Sequence, residues 1–107
     1  MNQLSPRELS EWLSDPERAK PLLLDVREPW EFELCHIDGS IPVPMNSVPQ
    51  RLQELDPDAQ TVVICHHGAR SFQVAHFLER NGFQQLHNLA GGVDAWARTV
   101  NPEMPLY

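Results

Sequence analysis

Two short, unbroken apolar runs do most to limit the folds open to this chain: LLLDV at residues 22–26 and TVVIC at residues 61–65. Their length and continuity are typical of strands that are buried on both faces. Such strands occur in parallel sheets that have helices packed on either side. The two runs therefore favour an α/β fold.

Helical patterns alternate with these runs. SPRE at residues 5–8 has the pattern of a helix start, with an N-cap serine, a first-turn proline and a glutamate placed for a capping box. Further helices are expected after Pro29, over residues 48–55, from Ser71 to a left-handed cap at Gly82, and over residues 93–100. Short strands are expected at residues 41–43 and within residues 83–89. The alternation predicts a mostly parallel sheet with helices on both faces.

Length and charge exclude several classes of protein. The 107 residues fit one domain, 1–107, with enough core to fold without disulfides. The net charge of −7, with no basic cluster, argues against binding to nucleic acid or to an anionic membrane surface. No run is long enough to span a bilayer, and the sequence has no signal-peptide pattern, so we expect a cytoplasmic protein. Because the cytoplasm is reducing, its two cysteines, Cys35 and Cys65, are expected to be thiols.

The segment CHHGAR, residues 65–70, is the candidate functional loop. Because ligands of an open parallel sheet bind beyond the carboxyl ends of its strands, this strand-to-helix loop is expected at the binding edge. If the loop curls toward Cys65, its amides and the following helix N-terminus favour the nucleophilic thiolate. Gly68 permits a tight turn, and Arg70 supplies a permanent cation for an anionic substrate. A buried structural cysteine is the alternative, but it would not require the sequence HHGAR behind it.

Three separated stretches of the chain resemble the rhodanese-like sulfurtransferases in their single-domain form. They are LLLDVREPWEFELCHIDGSIPVP at 22–44, CHHGARS at 65–71, and NLAGGVDAW at 88–96 with the trailing PEMPLY at 102–107. The resemblance covers nearly the whole chain, in the family's order. It implies a rhodanese-like, mostly parallel five-stranded sheet with helices on both faces, and it implies no cofactor.

The same resemblance implies a mechanism and a set of site residues. Cys65 would take a sulfur atom from a donor such as thiosulfate or a persulfide, become a persulfide itself, and pass the outer sulfur to cyanide or a thiol. The residues that would surround the persulfide and bind the substrate are His66, His67, Gly68, Ala69 and Arg70, with Arg70 open to a sulfonate-like donor. Asp25 and Arg27 match supporting positions and are expected to pair with each other or with loop backbone, and His36 matches a structural position.

Two other functions stay open. Phosphatases and arsenate reductases with a similar sheet place one more residue between the cysteine and the arginine, so the four residues found here favour sulfur over phosphate. The second alternative is a sulfur carrier or interaction module that serves a protein acceptor and has little activity on small molecules. This alternative stays open because Arg70 is the loop's one permanent charge and the net acidic chain does not attract anions.

His66 and His67 beside Cys65 offer zinc-type ligands, but their spacing does not match that of structural zinc sites. We therefore expect no metal, and we expect the histidines to modulate charge at the mouth of the loop.

Cys35 stands where the family commonly has a small residue such as glycine. It is either an inert small side chain or a second thiol that resolves the persulfide, and sequence separation alone does not decide between the two. The three tryptophans lie on helical stripes and are expected to be packing residues: Trp12, Trp30 and Trp96.

Overall fold

A parallel five-stranded sheet with α-helices on both faces forms the centre of the computed structural model, which describes residues 1–107. The strands are β1 Asn2–Leu4, β2 Leu22–Asp25, β3 Ile41–Pro42, β4 Thr61–Ile64 and β5 Leu86–Leu89. The α-helices are α1 Pro6–Ser14, α2 Pro29–Leu34, α3 Ala69–Arg80 and α4 Gly92–Thr99. All neighbouring strands run parallel, in the order β1-β5-β4-β2-β3. The predicted fold class is confirmed.

Local signals in the sequence place several helix ends correctly. At the start of α1, the Glu8 amide donates to the Ser5 hydroxyl over 3.1 Å, and the Ser5 amide donates to the Glu8 carboxylate over 2.9 Å. At the end of α3, Gly82 has a φ of +92°, and the Phe83 amide donates to the Leu78 carbonyl. The predicted capping box and left-handed cap are both confirmed.

The structure differs from the sequence analysis at three points. The sequence does not indicate the edge strand β1, because its three exposed or half-buried residues have no apolar pattern. The helix expected over 48–55 is wrong, because the segment has only the 3-10 turn Leu52–Glu54, which ends in extended backbone at Leu55. A second 3-10 turn, Met45–Ser47, precedes it and cannot continue as an α-helix through Pro49, which has no amide hydrogen to donate to the Met45 carbonyl. Trp30 is 60% exposed and so is not a core residue, although its ring meets that of Tyr107 edge to face, whereas Trp12 and Trp96 are buried.

The core is divided between the two faces of the sheet, and β4 serves both. Val62 and Ile64 pack in the cluster that includes side chains of α1 and α4, whereas Val63 and Cys65 pack in the cluster beneath α3. This alternation follows from the period of two in a strand. Cys65 therefore carries its sulfur toward α3. No helix of the structure is long and apolar enough to cross a membrane.

Candidate active site

Three loops meet at the carboxyl edge of the sheet. Strand β4 lies between β2 and β5, so the chain leaving β4 at Cys65 runs between Asp25, at the end of β2, and the glycines that follow β5. This is the edge at which parallel sheets bind ligands. The predicted loop, residues 65–70, is therefore central in the sheet and has neighbours on both sides.

The Cys65 sulfur lies in a polar pocket at the top of an apolar cluster. The residue is 1% exposed, and its Sγ is 3.1 Å from the Gly68 amide, which donates to it, and 3.2 Å from the Ser71 hydroxyl oxygen. Gly68 has a φ of +103°, in the left-handed region that favours glycine. The loop thus turns back so that its own amide faces the sulfur.

The neighbours of Ser71 determine which way its proton points. The Asn88 amide nitrogen donates to the Gly68 carbonyl over 3.2 Å, so the Asn88 oxygen is the atom that faces Ser71. The Ser71 hydroxyl donates to that oxygen over 2.5 Å and has no second proton. In the thiol form, Cys65 therefore donates to Ser71. When the sulfur carries negative charge, the same hydroxyl can rotate to donate to it.

Helix α4 turns the loop's carbonyl groups away from the side where an anion would bind. Its Val93 and Asp94 amides donate to the carbonyls of Cys65 and His66, over 2.9 and 3.1 Å. Because a trans peptide directs its N–H opposite to its C=O, the two following amides lie on the side of the loop away from α4. Four amides in the loop have no acceptor within the protein: those of His66, His67, Ala69 and Arg70. These donors are available to an anion.

Gly92 makes this close approach of α4 possible. Its φ is +61°, and a Cβ atom there would lie 2.4 Å from the carbonyl oxygens of both Cys65 and His66. A real Cβ cannot occupy that position, so a side chain at residue 92 must push the loop away from α4.

Arg70, expected to be open to a donor, is paired with a buried acid. Its two terminal nitrogens donate to the two carboxylate oxygens of Glu31 over 2.7 and 2.9 Å. Glu31 comes from α2 and is 3% exposed, whereas the side chain of Arg70 is 36% exposed. The hydrogen bonds from Arg70 lower the pKa of Glu31 to about 2, so this acid is ionised at neutral pH.

Tyr107 connects this pair to a second, deeper one. Its hydroxyl donates to Glu31 over 2.7 Å and accepts from Arg27 over 2.8 Å. Arg27 in turn makes a bidentate pair with Asp25, with both side chains fully buried. The expected pairing of Asp25 with Arg27 is confirmed. Although burial favours the neutral form, the hydrogen bonds to Asp25 and Tyr107 raise the pKa of Arg27. Burial also raises the pKa of Tyr107 to about 12.

The two histidines have different surroundings. The His66 ring stacks on Tyr107 with centroids 3.8 Å apart, and burial, followed by the charge of His67, lowers the pKa of His66. His67 is exposed, with its Nδ1 4.0 Å from Asp94.

The two histidines and Asp94 form one group of possible metal ligands, whose ligand atoms lie within 4.8 Å of one another. Asp94, however, is already paired with Arg98 at 3.0 Å. Cys65 is not in this group.

Cys35 is separated from Cys65 by the sheet. Its sulfur packs in the cluster on the face opposite Cys65, 3.6 Å from the Pro105 carbonyl. The two cysteines thus belong to core clusters on opposite faces of the sheet, which favours the inert side chain over the resolving thiol, and this choice stays a prediction. His36 is exposed and stacks on Phe32.

Sequence reasoning missed four side chains of the site: Glu31, Ser71, Asn88 and Tyr107. Ser71 lies one residue beyond the predicted loop and could have been found from its place in the first turn of α3. The other three come from distant segments and carry no local signal.

The fold and the site together define a class: an α/β domain that holds a cysteine in an amide-lined loop at the carboxyl edge of its sheet. A sequence profile described as the Rhodanese-like domain matches residues 5–99, and the chain belongs to this family.

Relatives of known sequence or structure resemble nearly the whole chain. A protein of Allochromatium vinosum named sulfurtransferase is 37% identical over 98 residues, which cover 92% of this chain and 90% of that protein. A thiosulfate sulfurtransferase GlpE of Pseudomonas syringae is 36% identical over 94 residues, 82% of this chain and 88% of its own. A crystal structure from Staphylococcus saprophyticus superposes with a TM-score of 0.84 at 32% identity and covers 94% of this chain and 97% of its own.

Proposed function

We propose that the protein is a sulfurtransferase that carries sulfane sulfur on Cys65. The observation that supports this proposal most directly is the loop around the sulfur. The Gly68 amide already donates to the Cys65 Sγ over 3.1 Å, and four neighbouring amides have no acceptor within the protein. A persulfide needs such donors, because its outer sulfur carries the negative charge. The relatives named sulfurtransferase support the same reaction class.

The reaction takes place in two displacements. The Cys65 thiolate attacks the outer sulfur of thiosulfate, the S–S bond of the donor breaks, and sulfite leaves with the electron pair. Cys65 then carries a persulfide anion held by the loop amides. A cyanide or thiolate acceptor attacks the outer sulfur, the new S–S bond breaks, and the Cys65 thiolate is restored. His66, His67, Gly68, Ala69 and Arg70 surround the transferred atom, while the buried pair of Asp25 and Arg27 supports α2 and Tyr107 from below.

Mass spectrometry tests the first displacement. After treatment with thiosulfate, the protein should gain the mass of one sulfur atom on Cys65. The matched control is Cys35→Ser, which removes the only other thiol and should still be loaded, whereas Cys65→Ser should not. Addition of cyanide should then release thiocyanate. Hydrolysis of a phosphatase substrate by protein that takes up no sulfur would instead assign phosphate chemistry.

One observation favours a second candidate, a sulfur carrier for a protein acceptor. Arg70 is neutralised by Glu31 and Cys65 is 1% exposed, so the loop is poorly suited to attract a small dianion from solution. Under this function, the purified wild-type protein forms no thiocyanate from thiosulfate and cyanide. Cys65 isolated from cells would nevertheless be found as a persulfide, and its sulfur would pass to a protein thiol.

A further inference from the structure

The charges around the catalytic loop cancel. Each arginine near the loop has a carboxylate partner: Arg70 pairs with Glu31, Arg27 with Asp25, and Arg98 with Asp94. The lowered pKa of His66 favours its neutral form. An approaching anion therefore meets amide dipoles but no uncompensated permanent cation.

Glu31 is built into this arrangement firmly. It is the third residue of α2, where its carboxylate also accepts from the Glu28 amide over 3.0 Å. Four donors in all converge on its two oxygens: two from Arg70, one from Tyr107 and one from the backbone of Glu28. The charge of Glu31 is thus fixed within hydrogen-bonding distance of the guanidinium that a donor would otherwise use.

We infer that Glu31 is a specificity-determining residue that sets the charge preference of the site. By neutralising Arg70, it disfavours dianionic sulfur donors relative to donors with one negative charge or none, such as thiosulfonates and persulfides. Glu31 acts through Arg70 and is a positioning residue, not a catalytic one. The inference rests on the proposed function, because it concerns the donor that loads Cys65.

Two donors of the same chemistry but different charge test this inference. Thiosulfate is a dianion and gives sulfite as leaving group. Methanethiosulfonate is a monoanion in which a methyl group replaces one charged oxygen; attack by the Cys65 thiolate on its outer sulfur breaks the S–S bond and releases methanesulfinate with the electron pair. Both reactions leave the same persulfide on Cys65. The rate of loading, as kcat/KM with cyanide as acceptor, is measured for each donor.

Glu31→Gln should raise kcat/KM for both donors, but unequally. Coulomb energy is proportional to the donor's charge, so the factor for the dianion should be the square of the factor for the monoanion. For a site open to water, we expect kcat/KM to rise roughly threefold with methanethiosulfonate and roughly tenfold with thiosulfate. Both increases should shrink, and so become equal, as added salt screens the charges. If Glu31 had only a structural role, Glu31→Gln would change kcat/KM for both donors by the same factor, and that result would overturn the inference.

Two further variants separate charge from position. Arg70→Gln leaves Glu31 uncompensated and should shift the donor ratio in the opposite direction, against thiosulfate. Tyr107→Phe removes the hydroxyl that orients Glu31 but changes no charge, so its donor ratio should stay within about twofold of the wild type. A Tyr107→Phe shift as large as that of Glu31→Gln would assign the effect to geometry and refute the inference.

If Glu31→Gln fails to fold, the double variant Glu31→Gln/Arg70→Gln keeps the test valid: the net charge of the pair stays zero, so the donor ratio should stay that of the wild type, and a shift against thiosulfate would overturn the inference. Failure of the proposed function would look different. In that case neither donor would place sulfur on Cys65 of the wild-type protein, whereas failure of this inference leaves Cys65 loaded and the donor ratio unchanged.

Discussion

Replacing Gly92 by alanine should damage both the stability of the protein and the loading of Cys65. The new Cβ would meet the Cys65 and His66 carbonyl oxygens at 2.4 Å, so the loop must move away from α4. Two hydrogen bonds to the Val93 and Asp94 amides are then lost, at a net cost of about 1 kcal/mol each. A left-handed alanine costs about another 1–2 kcal/mol. We therefore expect the free energy of unfolding to fall by about 3–4 kcal/mol.

Gly82→Ala is the matched control for this change. Gly82 has a φ of +92°, but a Cβ there meets nothing within 4 Å, so only the conformational cost of about 1–2 kcal/mol applies. Urea unfolding gives both free energies, and their difference of about 2 kcal/mol isolates the contact with the loop.

The rate of sulfur uptake from thiosulfate should fall roughly tenfold to a hundredfold in Gly92→Ala, because the amides no longer face the sulfur, and should be unchanged in Gly82→Ala. If the two variants lose equal stability and load sulfur at equal rates, α4 does not hold the loop in the way described.

Two further predictions concern the ion pairs. The folded-state pKa of Glu31 is about 2, below its ordinary value of 4.5, so the pair with Arg70 stabilises the protein fully above about pH 4.5 and loses this effect as the pH falls toward 2. Between pH 6 and pH 2.5, the wild type should lose about 2 kcal/mol more in urea unfolding than Glu31→Gln, and parallel pH curves would contradict this. Asp25→Asn should cost about 3–5 kcal/mol, because Arg27 is left buried and charged. Breaking the exposed pair of Arg51 and Glu54 by Glu54→Gln should cost far less, and equal losses in the two variants would be inconsistent with the buried pair described.

The strands and the loop could be predicted because their signals are local. Strands β2 and β4 are buried on both faces, so each is an unbroken apolar run, and β4 ends where the sequence changes to CHHGAR. The capping residues Ser5 and Gly82 act within a few residues of their own positions. Edge strand β1 has one neighbouring strand and little burial, so nothing in its composition reveals it.

The charge state of the site could not be predicted, because its partners are distant in sequence. Glu31 is 39 residues from Arg70 and 76 from Tyr107, and in sequence it resembles any acidic residue in the first turn of a helix. Tyr107 ends the segment NPEMPLY, which contains two prolines and forms no helix or strand, yet Met104 of this segment is buried in the core cluster and holds the tail near the site. Only the packing of that tail brings the tyrosine onto His66.

Different elements of the fold control the shape of the loop and its charge. The Val93 and Asp94 amides of α4 hold the loop carbonyls, at a distance that only Gly92 permits, and so determine where the loop amides point. Helix α2 supplies Glu31 and so determines how much positive charge an anion meets. If these roles are independent, Gly92→Ala should slow loading from thiosulfate and methanethiosulfonate by the same factor, since it alters no charge. Glu31→Gln should change their ratio. The double variant should then show the product of the two single effects, as expected for sites without shared partners. A departure from that product by more than a few-fold would mean that the pair of Glu31 and Arg70 also shapes the loop.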